Sequence, residues 1–312
     1  MWNWDYYANI KEHHEEEAPD DAPRILVSHV LDETALWRFI RKAYEKGRGA
    51  HKYLYTYMVQ VKQISLPDAG KLSDGLDFRA DFSELPSPRW LALKVDFELQ
   101  TPWYSKDDRV FHVLDNPVRK DRVFGIPFMA ASSWKGMLRW ACRMRAGLGQ
   151  YLQKPPDTAE WSDPAWILHL FGNEKGEGEE FSRGALVFYP TWFDRIGFQV
   201  INPHSRENRA GKGPIYYEVV PPGAKGTLSL LYAPWPGMKF TADPKEVLPW
   251  LLEAIETLLT VYGISAKRTV GWGTAKIEKW RAFHNTRKSV EKESREDLWR
   301  EVQAWLPGGS AP

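Results

Sequence analysis

The chain has 312 residues, enough for one large domain or two modest ones with a proper core. Apolar residues make up 43% and charged residues 27%, the balance of a globular protein. The formal net charge is only +1, which excludes a global field for polyanions, so a nucleic-acid surface must be a local basic patch.

Residues 1–24 read as a polar arm, with His13-His14-Glu15-Glu16-Glu17 followed by Pro19 and Pro23. Met1-Trp2-Asn3-Trp4-Asp5 carries neither the basic nor the apolar region of a secretory signal. No apolar run is long enough to span a bilayer, so the expected location is the cytoplasm and no membrane partner is expected. Asp32-Glu33-Thr34 predicts a helix start, with Leu36, Phe39, Ile40 and Ala43 at helical spacing, and residues 53–64 read as a strand.

From Trp90 the pattern sharpens. Leu91, Leu93, Val95, Phe97 and Leu99 alternate with Ala92, Lys94, Asp96 and Glu98, the period of a half-buried strand. A charged loop, 103–125, contains Leu114-Asp115-Asn116-Pro117-Val118. The turn Ser132-Ser133-Trp134-Lys135-Gly136 then opens a helix whose apolar face is Trp134, Met137, Leu138, Ala141, Cys142 and Leu148. Cys142 is the only cysteine, which excludes an internal disulfide framework and a cysteine-based zinc site. A second helix closes at Leu170-Phe171-Gly172, and an acidic glycine loop follows. Strands are predicted at 185–188, 198–201, 215–220, 227–232 and 274–280, helices at 245–262 and 290–306, and a basic loop at 202–214. The sixteen tryptophans read mostly as core or subunit contacts.

Strand, helix, strands, helix, strand is the order of a ferredoxin-like α+β unit, also used by RNA-recognition modules. The expected division is an N-terminal arm and extension (1–88), a ferredoxin-like core (89–284) and a C-terminal helix and tail (285–312).

The turn at 132–136 is the strongest local signal. Ser132 or Ser133 can cap the helix, early amides can meet a phosphate, and Gly136 leaves room for a close ligand. Lys135, Arg139 and Arg143 recur every four residues and should form one cationic face opposite the apolar stripe. The alternative is an ordinary capped helix with a solvated basic face. The loop Gly263 to Gly273 offers Lys267, Arg268, Gly271 and Gly273 for a close chain, or is simply a tight connector.

The string from Gly125 through Pro127, Ser132, Ser133, Lys135 and Gly136 to Arg139 resembles the signature of the RAMP superfamily of CRISPR-associated proteins. Leu170-Phe171-Gly172 and the Gly263 to Gly273 loop are similar to two further motifs of that family, in the same order. Ala130-Ala131 stands where the family has Pro-Gly, and Trp134 where it has Leu.

The resemblance implies a ferredoxin-like subunit of a type III effector complex that holds the guide RNA backbone beside other effector subunits. Ser132, Ser133, Lys135, Gly136, Arg139 and Arg143 would face RNA, as would His204, Arg206, Arg209, Lys267, Arg268, Gly271 and Gly273. Asp115 would cut paired target RNA, assisted by a divalent cation such as Mg2+, with no tightly bound metal or cofactor. Turn chemistry is the alternative for Asp115. The Ile264 to Gly273 string and the Asn202-Pro203-His204 loop instead resemble a non-cleaving head subunit that caps the filament near the guide 3′ end. A guide-processing endonuclease using His112 or His204 as base is the third reading.

Overall fold

The computed structural model describes residues 79–107, 114–122, 124–155, 160–173, 181–202, 214–285 and 289–306. The helix and strand expected before residue 79, and His112, His204, Arg206 and Arg209, lie outside them. The described residues fall into two units, one holding 104–127 and 194–221 and the other the flanking segments with the main sheet.

In the larger unit, strand β1 (Leu91–Leu99) is the centre of an antiparallel sheet. Phe128–Met129 forms β2, and helix α1 spans Ala131–Arg145. Short helices α2 (Leu148–Tyr151) and α3 (Ala165–Phe171) follow, then β3 (Leu186–Phe188) and β4 (Thr191–Trp192). The smaller unit supplies β5 (Gly197–Ile201) and β6 (Ile215–Val219) as an antiparallel pair. The chain then forms β7 (Lys225–Tyr232), α4 (Pro244–Thr257), a π-helical turn (Leu258–Tyr262), β8 (Ala275–His284), β9 (Ser289–Lys292) and α5 (Arg295–Val302).

The sheet order is β3-β7-β1-β8-β9. Reading β1, α1, β3, β7, α4 and β8 along the chain gives the ferredoxin-like arrangement, with β9 added at one edge. The strand over 289–292 is a correction: Val290 pairs with Ala282 in β9, and the C-terminal helix starts only at Arg295. Ser294 sets that start, because its hydroxyl accepts from the Asp297 amide at 3.1 Å.

The alternation read from the sequence packs the core. Leu91, Leu93, Val95, Phe97 and Leu99 are buried, and each contributes roughly 1.5–3 kcal/mol by leaving water. Phe97 meets Trp134 of α1 edge-on at 6.2 Å and Phe193 at 6.5 Å, and Phe193 lies tilted against Trp103 at 4.8 Å. The opposite sheet face is covered near Ala92 and Leu231 by Phe82 and Leu85. Elsewhere on that face Arg281 pairs with Asp96 at 2.6 Å and Lys279 with Glu291 at 2.6 Å.

Candidate nucleic-acid interface

Helix α1 begins one residue before the serine pair. Ala130 is its N-cap, with φ −67° and ψ 149°, and no side chain caps the end. Ser132 and Ser133 therefore lie inside the first turn, and the cap expected of them is corrected. The helical ladder starts at the Trp134 amide, which donates to the Ala130 carbonyl at 3.1 Å. The amides of Ala131, Ser132 and Ser133 precede that ladder and face out of the helix end. No acidic residue sits in the first turn, so nothing there offsets the positive end of the helix dipole.

The two departures from the family string are absorbed locally. Ala130 takes an ordinary extended conformation that needs no glycine. Trp134 points into the core, fully buried, and its indole N–H donates to the Thr191 hydroxyl at 2.9 Å. Thr191 in turn donates to the Thr227 carbonyl at 2.6 Å. The larger side chain thus changes the core and leaves the outward face of the turn intact.

On that outward face Ser132, Lys135 and Gly136 are exposed, and a Cβ placed on Gly136 would meet nothing within 4 Å. Partial burial and the positive charges of Arg139 and Arg183 hold the Lys135 ammonium below the usual lysine range. An anion at this position would relieve that repulsion.

Arg139 and Arg143 do not share the exposed face. Both turn to Asp163, whose side chain is 3% exposed while that of Arg139 is 11% exposed. Arg139 donates from Nε and Nη2 to Oδ2 at 2.9 and 2.6 Å; Arg143 donates to Oδ1 and Oδ2 at 2.6 and 2.8 Å. The Trp161 indole adds a bond to Oδ1 at 2.9 Å. Burial alone would raise the Asp163 pKa, but the hydrogen bonds from Arg143, Trp161 and Arg139 outweigh it and lower it. Two of the three cations expected on one face of the helix are thus ion-paired with Asp163. The helical period places the two arginines together, but a carboxylate twenty or more residues away draws them inward.

The glycine-punctuated loop is also split between inside and outside. Gly273 is buried with φ +90°, and a Cβ there would lie 2.3 Å from the Ser265 amide nitrogen. The Ile264 amide donates to the Gly273 carbonyl at 2.9 Å, closing the loop. Gly271 remains exposed. Lys267 is half-buried, and the Arg268 guanidinium lies over the Trp140 ring of α1 at 4.4 Å, so this loop is seated on the same helix.

Gly172 ends α3 with φ +78°, where a Cβ would lie 2.3 Å from the Ser182 carbonyl oxygen. The Leu-Phe-Gly motif is therefore a backbone crossing point. His169, just before it, is buried between the Tyr232 hydroxyl (2.9 Å) and the Phe240 carbonyl (3.1 Å), and burial lowers its pKa. Cys142 is buried as well, and burial pushes its thiol up, away from reactivity.

In the smaller unit, Asp115 is exposed between buried Leu114 and Pro117. The next residues are pinned from both directions. Glu218, fully buried, accepts from the Val118 amide at 3.1 Å and from Lys120 Nζ at 2.7 and 2.8 Å, and its amide donates to the Asn116 carbonyl at 3.0 Å. The Asn116 side chain donates to the Tyr216 carbonyl at 3.3 Å. Asp115 is thus held out on a braced loop. Among the described residues no group of three His, Cys, Asp or Glu side chains could hold a metal ion. Asp115 could offer only one carboxylate to a cation, so the rest of a Mg2+ shell would come from water and phosphate oxygens. Likewise, no helix among the described residues is long and apolar enough to cross a membrane.

Sequence reasoning missed Asp163, Glu218, Arg183 and Thr191. Each acts through a partner remote along the chain and carries no periodic signal of its own.

A family model described as the RAMP superfamily matches residues 96–276, more than half of the chain. A chain in the cryo-EM structure of the type III-B Cmr-beta bound to cognate target RNA aligns with a TM-score of 0.54 at 14% identity, covering 89% of each chain. A chain in the crystal structure of the Csm3-Csm4 subcomplex of the type III-A CRISPR-Cas interference complex aligns with a TM-score of 0.41 at 21% identity, covering 70% of this chain and 97% of that one. A search of curated proteins gives no match. The matched residues run from the middle of β1 to the start of β8 and so enclose the open helix turn, the backbone crossing at Gly172 and the closing loop on α1; the chain belongs to the RAMP superfamily.

Proposed function

We propose that this chain is a subunit of a type III CRISPR ribonucleoprotein effector complex and holds the guide RNA backbone at the first turn of α1. The observation that carries this reading is the outward face of that turn: exposed Ser132, Lys135 and Gly136 at an acid-free helix end. Such a surface meets phosphate through amides and a point charge, and reads no bases. The shared fold with a chain of a type III-B assembly bound to target RNA supports the setting. Lys135→Glu removes one phosphate contact and adds repulsion. The expected result is at least a tenfold loss of affinity for guide RNA, with the salt slope flattened by about 0.7. An unchanged slope would sink the reading.

Gly136→Ala separates stability from binding. The added methyl meets nothing in the chain, so helix propensity raises stability by about 1 kcal/mol. The same methyl stands where the RNA backbone comes close, so affinity should fall. A variant that melts higher and binds RNA unchanged counts against a contact at this turn.

A second reading adds cleavage of paired target RNA by Asp115, favoured by its exposure on a loop braced by Glu218. The Asp115 carboxylate takes the proton of a 2′-hydroxyl as that oxygen attacks the adjacent phosphorus. The bond from phosphorus to the 5′-oxygen breaks, leaving a 2′,3′-cyclic phosphate and a 5′-hydroxyl protonated by water. A divalent cation such as Mg2+ would stabilise the charge developing on the phosphate. If Asp115 is instead a turn residue, the chain holds RNA without cutting it, as a head or capping subunit would.

A further inference from the structure

Arg183 is a cation that no sequence motif singled out, and the backbone around it is built more tightly than a surface loop requires. It forms a bridge with Gly172, at the end of α3. The residues on either side are locked to the same place: the Asn173 amide donates to the Ser182 carbonyl at 3.2 Å, and the Ala185 amide donates to the His169 carbonyl at 2.8 Å. The Ser182 amide donates to the Asn173 side chain at 2.6 Å. A Cβ on Gly172 would lie 2.3 Å from the Ser182 oxygen, and one on Gly184 would lie 2.4 Å from the Phe171 carbonyl carbon. Only two glycines permit this crossing, and Arg183 is carried between them.

Buried neighbours surround it while its own side chain faces solvent: Ser182 and Gly184 are buried, and Arg183 is exposed. Helix α3, whose end it bridges, packs against α1. The positive charge of Arg183, after burial and Arg139, lowers the Lys135 pKa. Neither Arg183 nor Lys135 is ion-paired with a described residue, in contrast to Arg139 and Arg143, which share Asp163. Two like charges brought together on rigid supports destabilise each other unless an anion joins them.

We propose that Arg183, fixed by the Gly172–Gly184 backbone crossing, is a phosphate-binding residue that extends the RNA grip of the α1 turn from Lys135 across to the end of α3. The proposal rests on the RNA-holding reading and deepens it: the Leu-Phe-Gly motif becomes the device that sets one RNA-binding cation. The guanidinium suits this position because it can bond two phosphate oxygens at once, whereas Lys135 acts as a point charge.

The test uses the full chain and a labelled single-stranded polyuridine RNA, with binding measured over a range of salt concentrations. Arg183→Ala should weaken binding about tenfold and reduce the salt slope by about 0.7, while the melting temperature stays at the wild-type value. Arg183→Lys should keep the slope and lose only part of the affinity. If Lys135→Glu weakens binding but Arg183→Ala leaves affinity and slope unchanged, the Arg183 proposal is overturned and the α1 reading stands. If neither variant changes binding, both fall. A drop in affinity accompanied by a large loss of melting temperature in both Arg183 variants would assign the residue to folding and overturn the proposal as well.

Discussion

Asp163→Ala is expected to cost about 3–5 kcal/mol of folding stability, the usual penalty for leaving a buried ion pair without one partner. Two guanidiniums converge on this carboxylate, and the Arg139 side chain is only 11% exposed, so neither water nor another acid readily replaces it. The melting temperature should fall by roughly 10 °C. Replacing all three groups together, with Asp163→Leu, Arg139→Met and Arg143→Met, should recover much of the loss, because no buried charge is then left unpaired. If Asp163→Ala melts at the wild-type temperature, the network is not a stabilising element.

The same group sets an acid limit. The Asp163 pKa in the folded protein is lowered, so its stabilisation is fully present above the unfolded carboxylate value of about 4 and is lost as pH falls through the folded value. Thermal melts against pH should show that loss in the wild type and not in the triple variant. Arg139 therefore belongs to the fold before it belongs to any RNA surface. A charge reversal there unfolds α1 from its support and says little about RNA, whereas Lys135→Glu does not disturb Asp163.

Asp115→Ala is the second large effect. In the assembled complex it should abolish cutting opposite this subunit, while target binding stays within about twofold, because the side chain is exposed and Glu218 holds the loop through backbone contacts. Asp115→Asn should behave the same way, since the amide preserves shape but does not accept a proton at neutral pH. Cutting that persists in both variants returns Asp115 to turn chemistry and leaves the chain as an RNA-holding head subunit. Loss of target binding along with cutting would mean that the loop positions RNA and that the carboxylate has no separate role.

Much of the fold was legible because it is periodic. The alternation from Leu91 to Leu99 predicted the central strand, and the spacing of Trp134, Leu138, Ala141 and Cys142 predicted the buried face of α1. The edge strand β9 was missed, since four residues beside a helix-forming segment carry too little pattern to separate the two. The two-unit division likewise carries little local pattern: the 104–127 and 194–221 segments find each other across the sequence, through pairs such as Asn116 with Tyr216 and Lys120 with Glu218.

By itself the sequence determined the ferredoxin-like order of elements, the family and the outward residues of the α1 turn, because each is written in local spacing. Only the tertiary structure decided which of the cations are already ion-paired. Arg139 and Arg143 are drawn to Asp163, Gly273 is buried against Ser265, and Arg183 is bridged to Gly172 at the end of α3. A side chain's charge is visible in one dimension, but whether that charge is already neutralised depends on partners that only folding brings within a few ångströms.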